Sequence, residues 1–369
     1  MLRLTLITLL ASLLGGAGAG VLSSVLTTNA LDNYANSLLG DQGFTALEPR
    51  KLNTSPLDYD RAIERVRDAQ GRSLAVITSK AKDTSMPERW IGPGNTLAVG
   101  LVVSANGWIL TTAEQLAVFT NPVATAEVWV RGTRYAINAI SSDPLTPYVL
   151  IKLTAATGLT PIGFGDSADV QSGEQVFVLP DGVSLVPVTV AESEFSLLVT
   201  PAPAETYVTA WQVTTASVTP GPILSTTGDM LAFMTANGEA VPLHHGLAFV
   251  QETIRSGAVA HAALGAYLID VSRLYNLDPS LRQGLSAGAL VFAPTGRLAV
   301  PAKTPAAEAG VQAHDLITAI DGLAVTATTQ VAEILAGYDP GQTARLNILR
   351  GGALIEVDVV LGDLADLAY

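Results

Sequence analysis

Apolar and polar positions fall into three textures along the chain. Residues 4–26 form one uncharged, largely apolar run. Its length is about that of a membrane-spanning helix, roughly 20 residues. Arg3 lies on its N-terminal side, so the positive-inside tendency keeps the N-terminus cytoplasmic and exports the rest. A cleaved signal peptide is the competing reading, with Ala17-Gly18-Ala19 as the small-residue cleavage site. The apolar continuation from Val21 to Leu26 favours an uncleaved anchor over residues 1–28, followed by a polar linker over 29–55. Gly16 and Gly20 add a GxxxG spacing that lets helices approach closely in lipid, or simply mark a flexible small-residue patch.

The second texture begins at Asp58. Residues 58–69 alternate charges around Ala62, Ile63 and Val66, which predicts a helix. From Leu74 the chain breaks into short β-rich runs at 97–104, 108–112, 126–130, 135–140, 148–153, 175–179, 185–190, 207–213, 230–235 and 246–250. Gly, Pro, Asn and Asp punctuate them, the mark of an all-β barrel or sandwich. A helix over 251–263 closes this domain.

The last hundred residues mix types. A strand at 289–292 precedes a short helix from Pro305, stopped by Gly310. A strand at 315–320, a tight turn at Asp321-Gly322 and a helix over 328–336 follow, with Val331, Ile334 and Leu335 facing inward. Two strands, 344–350 and 354–361, close on a Gly351-Gly352 hairpin turn.

Composition narrows the function classes. The net charge is −13, with no basic cluster to offset it, which excludes a polyanionic nucleic-acid partner. There is no cysteine, so disulfides, thiolate catalysis and thiolate-bound metals are excluded. The four histidines are His244, His245, His261 and His314.

The order of elements resembles the HtrA/DegS-type serine proteases. The C-terminal module resembles their PDZ domain in TPAAEAGVQAHDLITAIDG (304–322) and DPGQTARLNILRGG (339–352). The middle domain resembles their trypsin-like barrel in VVSANGWILTT (102–112), SDPLTPYVLIKL (142–153), PIGFGDSADVQSGEQVFVLP (161–180) and HGLAFV (245–250). The resemblance implies a mainly β chain: an N-terminal transmembrane helix, a trypsin-like double β-barrel over 56–264, and an α+β PDZ domain over 265–365. It also implies assembly through the barrels, as trimers in the family.

A trypsin-like site needs a histidine base, an aspartate to orient it, a serine nucleophile and amides for the oxyanion. The resemblance puts Glu114 at the histidine position, Pro147 at the aspartate position and Thr219 at the serine position. No histidine precedes His244, so no shift of register restores the base. Pro220 lacks an N–H, and most glycines of the oxyanion turn are gone. The expectation is a catalytically degenerate barrel without cofactor. The alternative is a serine-type endopeptidase with a displaced site, pairing Ser217 or Thr219 with His244 or His245. Glu114 with Asp143 as a carboxylate pair has a plainer reading, a solvated side chain and a turn residue. His244-His245 shows no further metal ligand at recognisable spacing, so no metal is expected.

PDZ domains add an extended peptide as a strand and hold its terminal carboxylate on backbone amides. The resemblance places the carboxylate loop around Gly265-Ala266-Tyr267-Leu268-Ile269. Tyr267, Leu268 and Ile269, with Val331 and Leu335 across the groove, are the expected peptide contacts. Asp270 beside the loop disfavours a bound carboxylate. The plainer reading is that 267–269 merely links the domains. The expected function is a membrane-anchored extracytoplasmic pseudoprotease that binds protein or peptide C-termini as scaffold, sensor or accessory subunit. A structural subunit with a closed groove is the further alternative.

Overall fold

The computed structural model describes residues 59–80, 96–197, 200–214 and 220–367. The anchor and linker expected over 1–55, together with Ser217 and Thr219, lie outside the described residues. Among the described residues, no helix is long and apolar enough to cross a membrane.

Helix α1 (Tyr59–Ser73) opens the described chain and buries Ala62 and Val66 as expected, together with Ala69, while Ile63 is only half-buried. Gln70 Nε2 donates to Gly182 O at 2.9 Å, which fastens the helix to the loop that carries Gly182. Two closed six-stranded antiparallel barrels follow. The first contains β1 (Leu74–Ser79), β2 (Ala98–Val102), β3 (Trp108–Thr112), β4 (Ala126–Val130), β5 (Thr133–Ser142) and β6 (Tyr148–Leu153). Ile77, Val102, Ile109, Val128, Val149 and Ile151 fill it. Short helices α2 (Ala113–Leu116) and α3 (Pro122–Thr125) connect β3 to β4.

The second barrel contains β7 (Gln175–Val178), β8 (Val186–Ser196), β10 (Thr209–Thr214), β11 (Gly221–Leu224), β12 (Met230–Met234) and β13 (Glu239–Pro242). Its core gathers Val176, Val190, Trp211, Ile223 and Leu231. Strand β9 (Ala202–Pro203), between β8 and β10, leaves this barrel and pairs elsewhere.

One expected strand is corrected. Residues 246–250 belong to helix α4 (Leu243–Ser256), which buries Leu243, His245, Gly246, Phe249 and Val250. Its buried residues recur at helical spacing, and Gly257 ends it in the left-handed conformation at φ 84°. The histidine pair therefore sits in the first turn of a helix, not on a strand.

After α4 come β14 (Ala262–Ala263), β15 (Tyr267–Asp270), helix α5 (Pro279–Arg282), β16 (Ala289–Val291), α6 (Pro305–Glu308), β17 (Leu316–Ile320), β18 (Leu323–Ala324), α7 (Val331–Leu335), β19 (Thr343–Arg350), β20 (Ala353–Val360) and β21 (Gly362–Asp363). The main sheet runs β20-β19-β17-β16-β15-β9, with β18 beside β17. The outer strand is thus β9, delivered by the second barrel. Ala204 joins Leu264, Ala266, Leu268, Val331 and Leu335 in the core of this C-terminal unit.

Candidate functional site

Of the three positions expected to carry a triad, Glu114 and Pro147 are described and Thr219 is not. Thr112 caps α2 by accepting the Gln115 N–H, and this turn carries Glu114. Both Glu114 carboxylate oxygens accept the Ala236 N–H at 3.1 Å, so an exposed side chain is bound to the β12–β13 turn. Pro147 contributes its carbonyl, which accepts the Ala113 N–H at 2.8 Å. The neighbouring Gln115 is buried and bridges the barrels. Its Oε1 accepts from Val99 N at 3.1 Å, and its Nε2 donates to Pro220 O at 3.0 Å. Asp143 is the turn residue it was expected to be, accepting from Leu145 N and Thr146 Oγ1, but it is buried. His261 Nε2 lies 3.0 Å from Asp143 Oδ1 without hydrogen-bond alignment.

His244 and His245 line a polar cleft of about 290 Å³ between the second barrel and α7. Ser167 Oγ lies 2.9 Å from His244 Nδ1 and also accepts the His244 N–H at 2.9 Å. Glu333 of α7 approaches from the far wall, with Oε1 3.8 Å from His244 Nε2 and 3.5 Å from His245 Nε2. Tyr207 stacks on His245 with ring centroids 4.2 Å apart. Burial pushes the His245 imidazole down to about 4, against the opposing pull of Glu333. Burial raises Glu333, but the facing His244 and His245 imidazoles and the Gln330 N–H outweigh it and hold the carboxyl near 2.

Two imidazoles and a carboxylate, with ligand atoms within 4.8 Å of one another, are a donor set that suits a divalent first-row ion. The sequence shows no third ligand beside His244-His245 because Glu333 reaches them from a distant helix. The same line of atoms reads hydroxyl, imidazole, carboxylate. Ser167, however, is only 3% exposed, and its oxygen already accepts a backbone N–H.

The most complete constellation lies where β15 faces α7. Tyr267 and Leu268 are buried strand residues paired antiparallel with Pro203 and Ala202 of β9. The pairing continues through the Ala204 N–H, which donates to Ala266 O at 2.9 Å. The Glu205 carboxylate then accepts from Leu264 N at 2.7 Å and from Gly265 N at 3.1 Å. Gly265 has φ 75°, and a Cβ there would meet Thr304 Cβ at 2.5 Å, so both conformation and space demand glycine in this turn. Leu264 O is held in turn by the Ala306 N–H at 2.8 Å. The carboxylate-holding amides are therefore those of Leu264 and Gly265, at the leading edge of the expected loop, and Tyr267, Leu268 and Ile269 form the adjoining strand.

Val331 and Leu335 are buried on α7 across from this strand. Asp270 turns away from the carboxylate loop, accepting from Ser272 N and Oγ, with Arg273 3.4 Å distant. A cavity of about 40 Å³ lies between Ala202, Leu268, Val325, Gln330 and Val331. Glu205, Gln330 and Glu333 were not singled out from the sequence. The one available signal was a lone acidic residue within the small-residue stretch 201–206.

Residues 263–361 match the PDZ domain family. A probable periplasmic serine endoprotease, DegP-like, from Pseudomonas putida (strain ATCC 700007 / DSM 6899 / JCM 31910 / BCRC 17059 / LMG 24140 / F1) is 26% identical over 291 residues, covering 73% of this chain and 57% of the relative. A protein of the same description from Halomonas elongata (strain ATCC 33173 / DSM 2581 / NBRC 15536 / NCIMB 2198 / 1H9) is 24% identical over 290 residues, again 57% of its length. The chain thus spans less than two thirds of these relatives. Among solved structures, the HtrA-type protease AlgW with a decapeptide superposes with a TM-score of 0.56 at 20% identity, covering 82% of this chain and 98% of that one. The fold and domain order are those of an HtrA-type protease, a trypsin-like double barrel followed by a PDZ domain.

Proposed function

We propose that this chain is an HtrA-like pseudoprotease that binds protein or peptide C-termini through its PDZ groove, at an extracytoplasmic face, tethered by its N-terminal apolar run. The observation that carries the peptide-binding part is a groove in which β15 pairs with the extended residues 202–203 of this chain while the Leu264 and Gly265 amides hold the Glu205 carboxylate. That is the geometry strand addition with terminal-carboxylate capture requires. Loss of proteolysis is supported by Glu114 and Pro147 at the base and orienter positions, both committed to backbone contacts. The extracytoplasmic location is supported by relatives described as periplasmic. Trimer formation follows from the family resemblance alone.

The test is casein turnover by the purified full chain. No turnover above the buffer control is the expected result. The Ser167–His244–Glu333 line favours one competing reading, a displaced hydrolase. Turnover that disappears in Ser167→Ala, Ser217→Ala or Thr219→Ala would establish that reading instead.

A further inference from the structure

We infer that residues 202–205 are a built-in ligand of the PDZ groove, holding it closed until a partner's C-terminus displaces them. The inference rests on reading this groove as the peptide site. Four contacts made by consecutive residues carry it. Ala202 and Pro203 occupy the place of an added strand against Leu268 and Tyr267. Ala204 donates its N–H to Ala266 O and buries its methyl in the domain core at 4% exposure, as the last side chain of a ligand would. The Glu205 side chain then delivers a carboxylate to the Leu264 and Gly265 amides. The chain cannot end at this point, so a side-chain carboxylate stands where a terminal one would be. Thr206 N donates to Pro203 O at 2.9 Å, turning the chain back toward the barrel.

Further contacts latch the segment. Gln330, at the start of α7, accepts the Val208 N–H on its Oε1 at 3.0 Å and donates from its Nε2 to the Thr209 hydroxyl. Leu197 N donates to Val208 O at 2.8 Å, closing the base of the excursion. The segment is joined to both β8 and β10, so its local concentration at the groove is far above that of a free peptide.

The internal ligand also describes the external one. Ala204 fills the terminal side-chain position and Ala202 the position two residues before it, and the remaining cavity is about 40 Å³. The partner chemistry is therefore an extended protein C-terminus with a small apolar last residue, small again two places earlier, and a free carboxylate. A large aromatic terminus does not fit without movement of α7.

The test uses the full chain in detergent micelles and a fluorescein-labelled peptide ending in Ala-Pro-Ala with a free carboxylate. Its C-terminally amidated form is the control. Opening the groove raises the competent fraction, and apparent affinity rises in proportion. Glu205→Ala is expected to bind the free-acid peptide about tenfold or more tightly than the parent chain, with the isosteric Glu205→Gln in between. The amidated peptide is expected to bind none of the three. Amide hydrogen exchange at Ala204, Leu264 and Gly265 is read in parallel, slow in the parent chain and faster in both variants. Equal peptide affinity in all three proteins, with unchanged exchange at those amides, overturns the inference. Faster exchange in the variants with no peptide bound by any protein leaves the internal ligand standing and removes the proposed capture of C-termini. If Glu205→Ala does not fold, Glu205→Gln carries the same comparison.

Discussion

His245 is packed against a tyrosine ring, faces a carboxylate and is almost wholly withdrawn from water. Its pKa of about 4 against an ordinary 6.5 means that an unfolded chain takes up a proton the folded chain refuses across that interval. The folded state is therefore fully favoured above pH 6.5 and loses stability as the pH falls toward 4, by about 3 kcal/mol. Glu333 has the opposite chemistry with the same sign. Its carboxyl near 2, against an ordinary 4.5, contributes above pH 4.5 and is lost as the pH drops through that range. Urea unfolding at pH 7, 5.5 and 4 is expected to show this decline, with its upper part flattened in His245→Gln. The histidine pair was legible in the sequence, but its partner was not. Adjacent histidines are visible as letters, whereas Glu333 is brought to them by the docking of α7 on the second barrel. Glu205 was hidden for a related reason, because its role depends on two amides in a distant turn.

Gly246 shows what positions helix α4. A Cβ at this residue would lie 2.2 Å from Tyr148 Cδ2, while the Tyr148 hydroxyl donates to Val241 O at 2.6 Å. Helix and strand β6 are in contact at a point where no side chain fits. Gly246→Ala is expected to cost about 1–3 kcal/mol in chemical denaturation, despite alanine's better helix propensity. Arg350 on β19 forms a bidentate pair with the buried Asp315, at 2.6 and 2.7 Å. Arg350→Ala leaves that carboxylate buried without its cation. A loss of about 2 kcal/mol is expected by the same assay, below the fully buried range because Arg350 is partly exposed. Most elements could be read from periodicity. Strands 108–112, 126–130 and 148–153 have the observed limits, since β-rich runs bounded by turn formers leave little choice. Residues 246–250 were ambiguous because a short apolar run suits either a strand or a helix face, and contact with Tyr148 decides it. Strand β9 was invisible at two residues long, having no period of its own.

Barrel and PDZ unit share more than a linker. Gln330 grips Val208 and Thr209, Glu333 meets His244 and His245, and Arg273 donates to Glu194 O. These ties predict that the described part of the chain unfolds in one calorimetric transition. The double variant Glu205→Ala with Gln330→Ala is expected to separate the PDZ unit as an earlier, second transition. The two-domain plan was legible because each domain repeats a recognisable order of words. Their mutual latch was not, since it lies in the three-dimensional path of one loop. That path also couples groove and cleft. Tyr207, whose ring covers His245, sits two residues beyond Glu205 and one before the Val208 amide held by Gln330. Pulling residues 202–205 out of the groove would lift this aromatic cover and let water reach the imidazole. A tenant arriving at the PDZ domain would thus be announced in the neighbouring barrel, as a His245 ring-proton resonance drifting toward the titration of a solvated histidine.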